Sequence, residues 1–442
     1  MASINVYHGK KGDSYQITVY NGYDSNGRQI KETITYKPDP TKTMLQQKKE
    51  VEAYAMEFEE KVQNGRYCSG DKIKFRDFVE KWKKDYAEAH YSASTMYSYT
   101  NHLNAIIVPN LGNYRMTKIT PLVLQTFYNE LAKDGSRVDG KKGSYSRATI
   151  AKYHKIIASI MKRALYWQVI DSNPCERVEI PMVESKSKQK YFNVEQANSF
   201  LEMLENPLAT QYATYYERYN KWYSKEYTSK IHNKRYVLMY KTLFRLALFS
   251  GARIGELSAL TWNDVDFDTN TISITKAVAY GKQGMYIKSP KTETSNRTVI
   301  IPQDEINLLR QLRTEQMKDI LRLGTYWKGK KKKEELDDNF IFTQIDGSLM
   351  AKSSANRVFQ RMIENYNKVV SEEKQLPVIS VHGLRHTSAT LLIANNVDVK
   401  TVSERLGHKQ IGTTLNIYAH ALKERDECAS DILDTVLKQN HA

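Results

Sequence analysis

The chain has 442 residues, too many for one ordinary core, so two or three domains are expected. Apolar residues make up 40% and aromatics 11%, which excludes global disorder, and no apolar run is long enough to cross a bilayer. Sixty-six Lys and Arg against 50 Asp and Glu leave a net charge of +16, which fits a polyanion partner, nucleic acid above all.

The excess is uneven: residues 1–70 carry +1, residues 71–180 carry +7 and residues 181–442 carry +8. The N-terminus lacks the apolar core of a signal peptide. Cys68, Cys175 and Cys428 form no Cys-x-x-Cys pair, so neither a disulfide framework nor a zinc site is expected, and a cytoplasmic location fits.

In chain order, INVYHG, SYQITVY and QIKETITY read as three strands, with Asn26-Gly27 turning the last pair. So small a sheet needs a helix packed on it, and residues 43–63, ended by Asn64-Gly65, supply one. From Lys72 to Ile180 the pattern is helical, four or five helices in all. FRDFVEKWKKDY sets Phe75, Phe78, Val79 and Trp82 on one face. Thr120-Pro121 opens a helix that Gly135 closes. Ile150, Ile157, Ile160, Met161 and Leu165 form the apolar stripe of another. Residues 181–190 (PMVESKSKQK) read as a linker, after which Asn193 and Gln196 form a capping-box variant.

Beyond residue 191, helices flank one small sheet built from TISITKAVAY, GMYIKS and RTVIIP, with turns at 281–284 and 289–296. The Tyr-rich stretch 208–236 and the Lys-rich stretch 328–333 read as surface insertions, and residues 421–442 as a final helix. The expected fold is therefore multidomain: a three-stranded sheet with a helix, an all-α basic domain, and a mainly helical α+β domain with a small antiparallel sheet.

Four stretches of the last domain carry chemistry: GARIGEL (251–257), SPKTETSNRTVIIP (289–302), VHGLRHT (381–387) and LGHKQIGTTLNIY (406–418). Each supplies a cation or a hydrogen-bond donor, and the last adds a hydroxyl. That set suits holding a phosphodiester while a nucleophile attacks phosphorus. Bidentate guanidinium groups match the equatorial oxygens of the transition state, and Arg253 and Arg385 are the candidates. His382 lies three residues before Arg385, so a helix starting there aims both the same way and offers its own N-terminus to an anion. Lys291 is placed to protonate the leaving oxygen and His408 to donate to the phosphate. With no His-Glu-x-x-His, Walker loop or carboxylate grouping, the cations supply the charge a metal would, so no metal and no cofactor is expected.

Taken together, these stretches resemble the catalytic boxes of the tyrosine recombinases, the phage-integrase family, with the integrases of phages and conjugative transposons most similar. The resemblance implies Arg253, Lys291, His382, Arg385 and His408 as catalytic residues, Tyr418 as nucleophile and Glu256 as a buttress of Arg253. It assigns residues 1–68 to an arm-type DNA-binding domain, 72–180 to a core-binding domain and 191–442 to a catalytic domain with a helical tail. It also implies a 3′-phosphotyrosyl intermediate without ATP or metal, and integration and excision of a mobile element. The implied partners are double-stranded attachment sites, a homotetramer on DNA, and an excisionase or a host DNA-bending protein; no membrane is involved. Two other readings compete. A type IB topoisomerase shares the chemistry, and a non-enzymatic DNA-binding protein would use 395–415 as a helix-turn-helix.

Overall fold

A computed structural model describes residues 2–9, 13–23, 26–63, 73–183, 191–206, 225–288 and 296–407, with side chains omitted over 225–234. The chain divides into two compact units, Met1–Lys186 and Ser187–Ala442.

The first unit opens with strands β1 (Ser3–Tyr7), β2 (Ser14–Tyr23) and β3 (Gln29–Tyr36), antiparallel in that order. Gly27 turns the chain at φ +74°, a value that favours glycine. Register pairs Ile17 with Ile34, so β2 turns Ile17 and Val19 to one face. That face packs on Ala55, Phe58 and Val62 of helix α1 (Met44–Gln63). Tyr36 ties sheet to helix, stacking on Tyr54 at 4.2 Å and donating to Glu50 at 2.6 Å.

The helical stretch that follows holds four rods where four or five helices were expected. Helix α2 (Phe75–Trp82) runs through a π turn (Lys83–Ala87) into α3 (Glu88–His90). Helix α4 (Ala93–His102) likewise runs through Leu103–Ile107 into α5 (Val108–Leu111). Helices α6 (Pro121–Ala132) and α7 (Arg147–Tyr166) complete the set. Ser92, Thr120 and Ser146 cap α4, α6 and α7 by accepting from the third backbone N–H beyond. Helix α6 stops at Ala132, three residues short of Gly135, because Lys133 is already extended. Phe75, Phe78, Val79 and Trp82 meet Ile150, Ile157, Ile160 and Met161 in one core.

In the second unit α8 (Val194–Glu205) starts at the expected capping box, with Asn193 and Gln196 exchanging hydrogen bonds. Helices α9 (Lys225–Ser250) and α10 (Ile254–Leu257) follow. The single small sheet expected here is two. Strand β4 (Val265–Asp266), β5 (Thr271–Ile274) and β8 (Arg297–Ile300) form one ladder, and β6 (Ala277–Gly281) with β7 (Gly284–Lys288) the other. TISITKAVAY breaks at Thr275-Lys276, where Lys276 is held off the sheet line by Asp264 at 2.8 Å and Thr261 at 3.0 Å. Its β-branched residues give no warning of that break.

Helices α11 (Gln303–Leu323), α12 (Lys352–Tyr366), α13 (Val381–Ala394) and α14 (Val399–Leu406) close the unit. Arg235, 1% exposed, pairs with Asp319 at 2.7 Å and so pins α9 to α11. Lysines 328 and 330–333 are exposed beside the buried Trp327. Ala389, Ile393, Val402 and Leu406 join α13 to α14, which ends on Gly407 in the left-handed region. Among the described residues no helix is long and apolar enough to cross a membrane.

Candidate active site

The site is built where the end of α9 meets the end of α14. Gly251, at φ +63°, makes the close approach possible: a Cβ there would lie 2.5 Å from Leu406. Ser250 fixes the bend, its hydroxyl accepting from the backbone N–H of Ala252. Arg253 then stands at the entrance of α10. Glu256, one turn on, accepts from its backbone N–H at 2.9 Å and from Nη1 at 2.8 Å.

Two further arginines converge on the same place. Arg297, the first residue of β8, donates Nη2 at 2.8 Å to Glu256 Oε2, the oxygen that also accepts the Arg253 backbone N–H. Arg385 lies on α13, 2% exposed, and its Nη1 donates to the carbonyls of Gly251 and Leu406, both at 2.7 Å. These contacts close over 134 positions of sequence between Arg385 and Gly251.

The last carbonyls of α14, which no intrahelical N–H can reach, are thereby shared among three guanidinium groups. Arg405 O accepts from Arg297 Nε at 2.8 Å, Leu406 O from Arg385, and Gly407 O from Arg253 Nη2 at 3.3 Å. His382 stands one turn before Arg385 with its ring edge-on to His386 at 4.8 Å.

Electrostatics follow from the crowding of cations. Burial alone would raise the Glu256 pKa. The hydrogen bond and charge of Arg297, then the backbone N–H and charge of Arg253, override it and hold the carboxyl below its usual range. Partial desolvation pushes His382 below the ordinary histidine value; Arg385 and Arg253 push the same way, and Glu256 opposes them. The region can therefore hold an anion between Arg253, His382 and Arg385, with Glu256 fixing the first of them.

Of the residues singled out in the sequence, Arg253, Glu256, His382 and Arg385 come together here. Lys291, His408 and Tyr418 lie outside the described residues. Arg297 was not singled out, although it ends the same SPKTETSNR stretch as Lys291; its signal is an arginine opening a β-branched strand. Lys352, at the start of α12, was also passed over. Its Nζ lies 2.8 Å from where a Cβ on Gly255 would sit. Burial, then Lys288, depresses its pKa while Glu256 opposes the shift. Among the described residues no group of three or more His, Cys, Asp or Glu is placed to hold a metal ion.

Two family signatures match the chain: the phage integrase family over residues 223–425 and the phage integrase N-terminal SAM-like domain over residues 74–132. A tyrosine recombinase XerC-like protein of Caldanaerobacter subterraneus subsp. tengcongensis is 25% identical, covering 98% of this chain and 99% of its own. The ICEBs1 integrase of Bacillus subtilis is 25% identical over 64% of each chain. Among solved structures, a Tn1549 transposon integrase in complex with transposon right end DNA superposes with a TM-score of 0.58 at 20% identity. It covers 80% of this chain and 98% of that one, and carries the same mainly helical multidomain fold. With more than half of its residues matched by the two signatures, the chain belongs to the phage integrase family, that of the tyrosine recombinases.

Proposed function

We infer that the protein is a site-specific DNA recombinase that cuts and rejoins DNA through a covalent 3′-phosphotyrosyl intermediate, integrating and excising a mobile element. The observation that carries this reading is the convergence of Arg253, His382 and Arg385, with Glu256 joining Arg253 to Arg297. Relatives named as integrases, and a transposase from transposon Tn916 that is 29% identical over 43% of this chain, support the mobile-element part.

In the proposed first step the Tyr418 phenolate oxygen attacks phosphorus. The Tyr418 Oη–P bond forms, the P–O5′ bond breaks, and Lys291 gives the departing O5′ a proton. Arg253, Arg385, His382 and His408 carry the charge of the pentavalent state. The phosphotyrosyl ester keeps the bond energy of the broken strand, so resealing by a 5′-hydroxyl of the partner duplex needs no ATP. The arginine-rich site takes the part a metal would otherwise play. Two duplexes offer four strands and each protomer brings one Tyr418, which supports a tetramer as the exchanging species.

On this reading residues 72–180 and 191–442 hold the core site and residues 1–68 a second, arm-type site. An excisionase or a host DNA-bending protein would then set direction.

The test is incubation of the full chain with a nicked duplex taken from the DNA flanking its own gene. A denaturation-resistant protein–DNA adduct is expected from the natural chain and none from Tyr418→Phe. An adduct with Tyr418→Phe would remove Tyr418 as nucleophile, and no adduct on any flanking DNA would favour a binding protein. Adducts with supercoil relaxation but no exchange between duplexes would indicate a type IB topoisomerase.

A further inference from the structure

We propose that Arg297 is a positioning residue for DNA cleavage, locking the turn at Arg405–Gly407 to the arginine that receives the phosphate. The role rests on the recombinase reading above. Arg297 is 8% exposed at its side chain and faces inward with two acceptors: the Glu256 carboxylate through Nη2 and the Arg405 carbonyl through Nε, both at 2.8 Å. One planar group thus fixes two elements at once. Glu256 holds Arg253 by main chain and side chain, and Arg405 sits in the last turn of α14. A bidentate guanidinium does this where an ammonium cannot, because its donors diverge in a rigid plane.

Gly407 completes the lock. At φ +67° it turns the chain sharply off α14, and a Cβ there would come within 2.8 Å of Arg297 Nη1. Its carbonyl accepts from Arg253 Nη2. The next residue is His408, and Tyr418 follows ten positions on. The cation that meets the phosphate and the stem of the segment bearing the nucleophile therefore share Arg297 and Glu256. A shift of about 1 Å between attacking and receiving groups is enough to cost about 100-fold in rate.

The experiment measures single-turnover adduct formation on the nicked flanking duplex across DNA concentration and salt, with thermal unfolding alongside. It uses the full chain, Arg297→Lys, Gly407→Ala and their combination. Arg297→Lys keeps the charge beside Glu256 but has one nitrogen where Nε and Nη2 reach two separate acceptors; Gly407→Ala crowds the guanidinium from the other side. Each single change is expected to lower the saturating rate at least tenfold. The half-saturating DNA concentration should stay within twofold, with the salt slope of binding unchanged. The pair should be little slower than the slower single variant, because both disrupt the same lock.

An unchanged rate in Arg297→Lys overturns the proposal. So does weaker binding with a salt slope reduced by about one, which marks a phosphate contact. A rate loss that tracks lost thermal stability marks a merely structural residue and also overturns it. If only Arg297→Lys is slow, the effect runs through Glu256 alone and the turn has no part. If the natural chain forms no adduct, the recombinase reading falls, and this role falls with it.

Discussion

The helical stretch 73–183 and the candidate active site are both rich in cations, but they place them in opposite ways. On α7 the apolar stripe is buried while Arg147, Lys152, Lys155 and Lys162 stand exposed. Around α14 two arginines are turned inward: Arg385 is 2% exposed, and Arg297 and Arg385 spend donors on carbonyls and a carboxylate. Exposed lysines add long-range, salt-screened attraction and little geometry. Inward guanidinium groups in fixed hydrogen bonds add geometry, and desolvation makes each worth far more than a surface charge. On the proposed function, the same residue class supplies affinity in one region and catalytic precision in the other.

If that division holds, changes in the two regions must fail differently. The largest effect lies in the proposed nucleophile. Tyr418→Phe should abolish the covalent adduct while leaving duplex affinity within about twofold, as read by gel shift against denaturing gel. Next comes Arg385→Lys, which keeps charge but cannot reach both Gly251 and Leu406 carbonyls. Adduct formation should fall about 10²- to 10³-fold, the scale for losing one preorganised donor at a developing charge. Comparable loss of DNA binding in that variant would break the comparison. The Arg297→Lys effect, tenfold or more, falls between this and the surface changes.

On the exposed side, Lys152→Ala with Lys155→Ala should leave the saturating cleavage rate unchanged. Affinity should drop several-fold, and the slope of log affinity against log salt should fall by about one for each phosphate no longer neutralised. Titrations at several salt concentrations measure both. A rate loss with unchanged slope would show that these lysines act on chemistry.

Much of the fold is legible because its signals are local. Thr120-Pro121 and the Asn193–Gln196 pair mark helix starts through hydrogen bonds that span three residues. The π turn at Lys83–Ala87 leaves no such mark, whereas the one at Leu103–Ile107 is followed by Pro109, which has no N–H to give the Ala105 carbonyl. The break at Thr275-Lys276 is equally hidden: Lys276 pairs there with Asp264, twelve positions back, which no local pattern announces. The site divides along the same line. The spacing of Arg253 to Glu256, and of His382 to Arg385, is one helical turn and can be read directly. Arg297 meets a carboxylate 41 positions away and a backbone carbonyl 108 positions away, and neither distance leaves a trace in the chain's pattern.

The smallest effect tests the inward region's electrostatics without any cleavage. Desolvation, Arg385 and Arg253 all disfavour the imidazolium of His382, and Glu256 only partly offsets them, so its titration midpoint in the free protein should lie below 6.5. His382 is then mainly neutral at pH 7, and its preference for the neutral form stabilises the fold above pH 6.5. That contribution shrinks as pH falls below 6.5 toward the folded midpoint, where the unfolded chain binds the proton more readily. An anion held between Arg253 and Arg385 should reverse the balance and raise the midpoint. Histidine NMR titration, assigned by difference with His382→Gln, reads the value with and without a short DNA duplex. A midpoint at or above 6.5 in the free protein, or one that the duplex does not raise, would mean that Arg253, Arg385 and His382 do not share one anion. The chemistry would then have to be sought away from the α13 start.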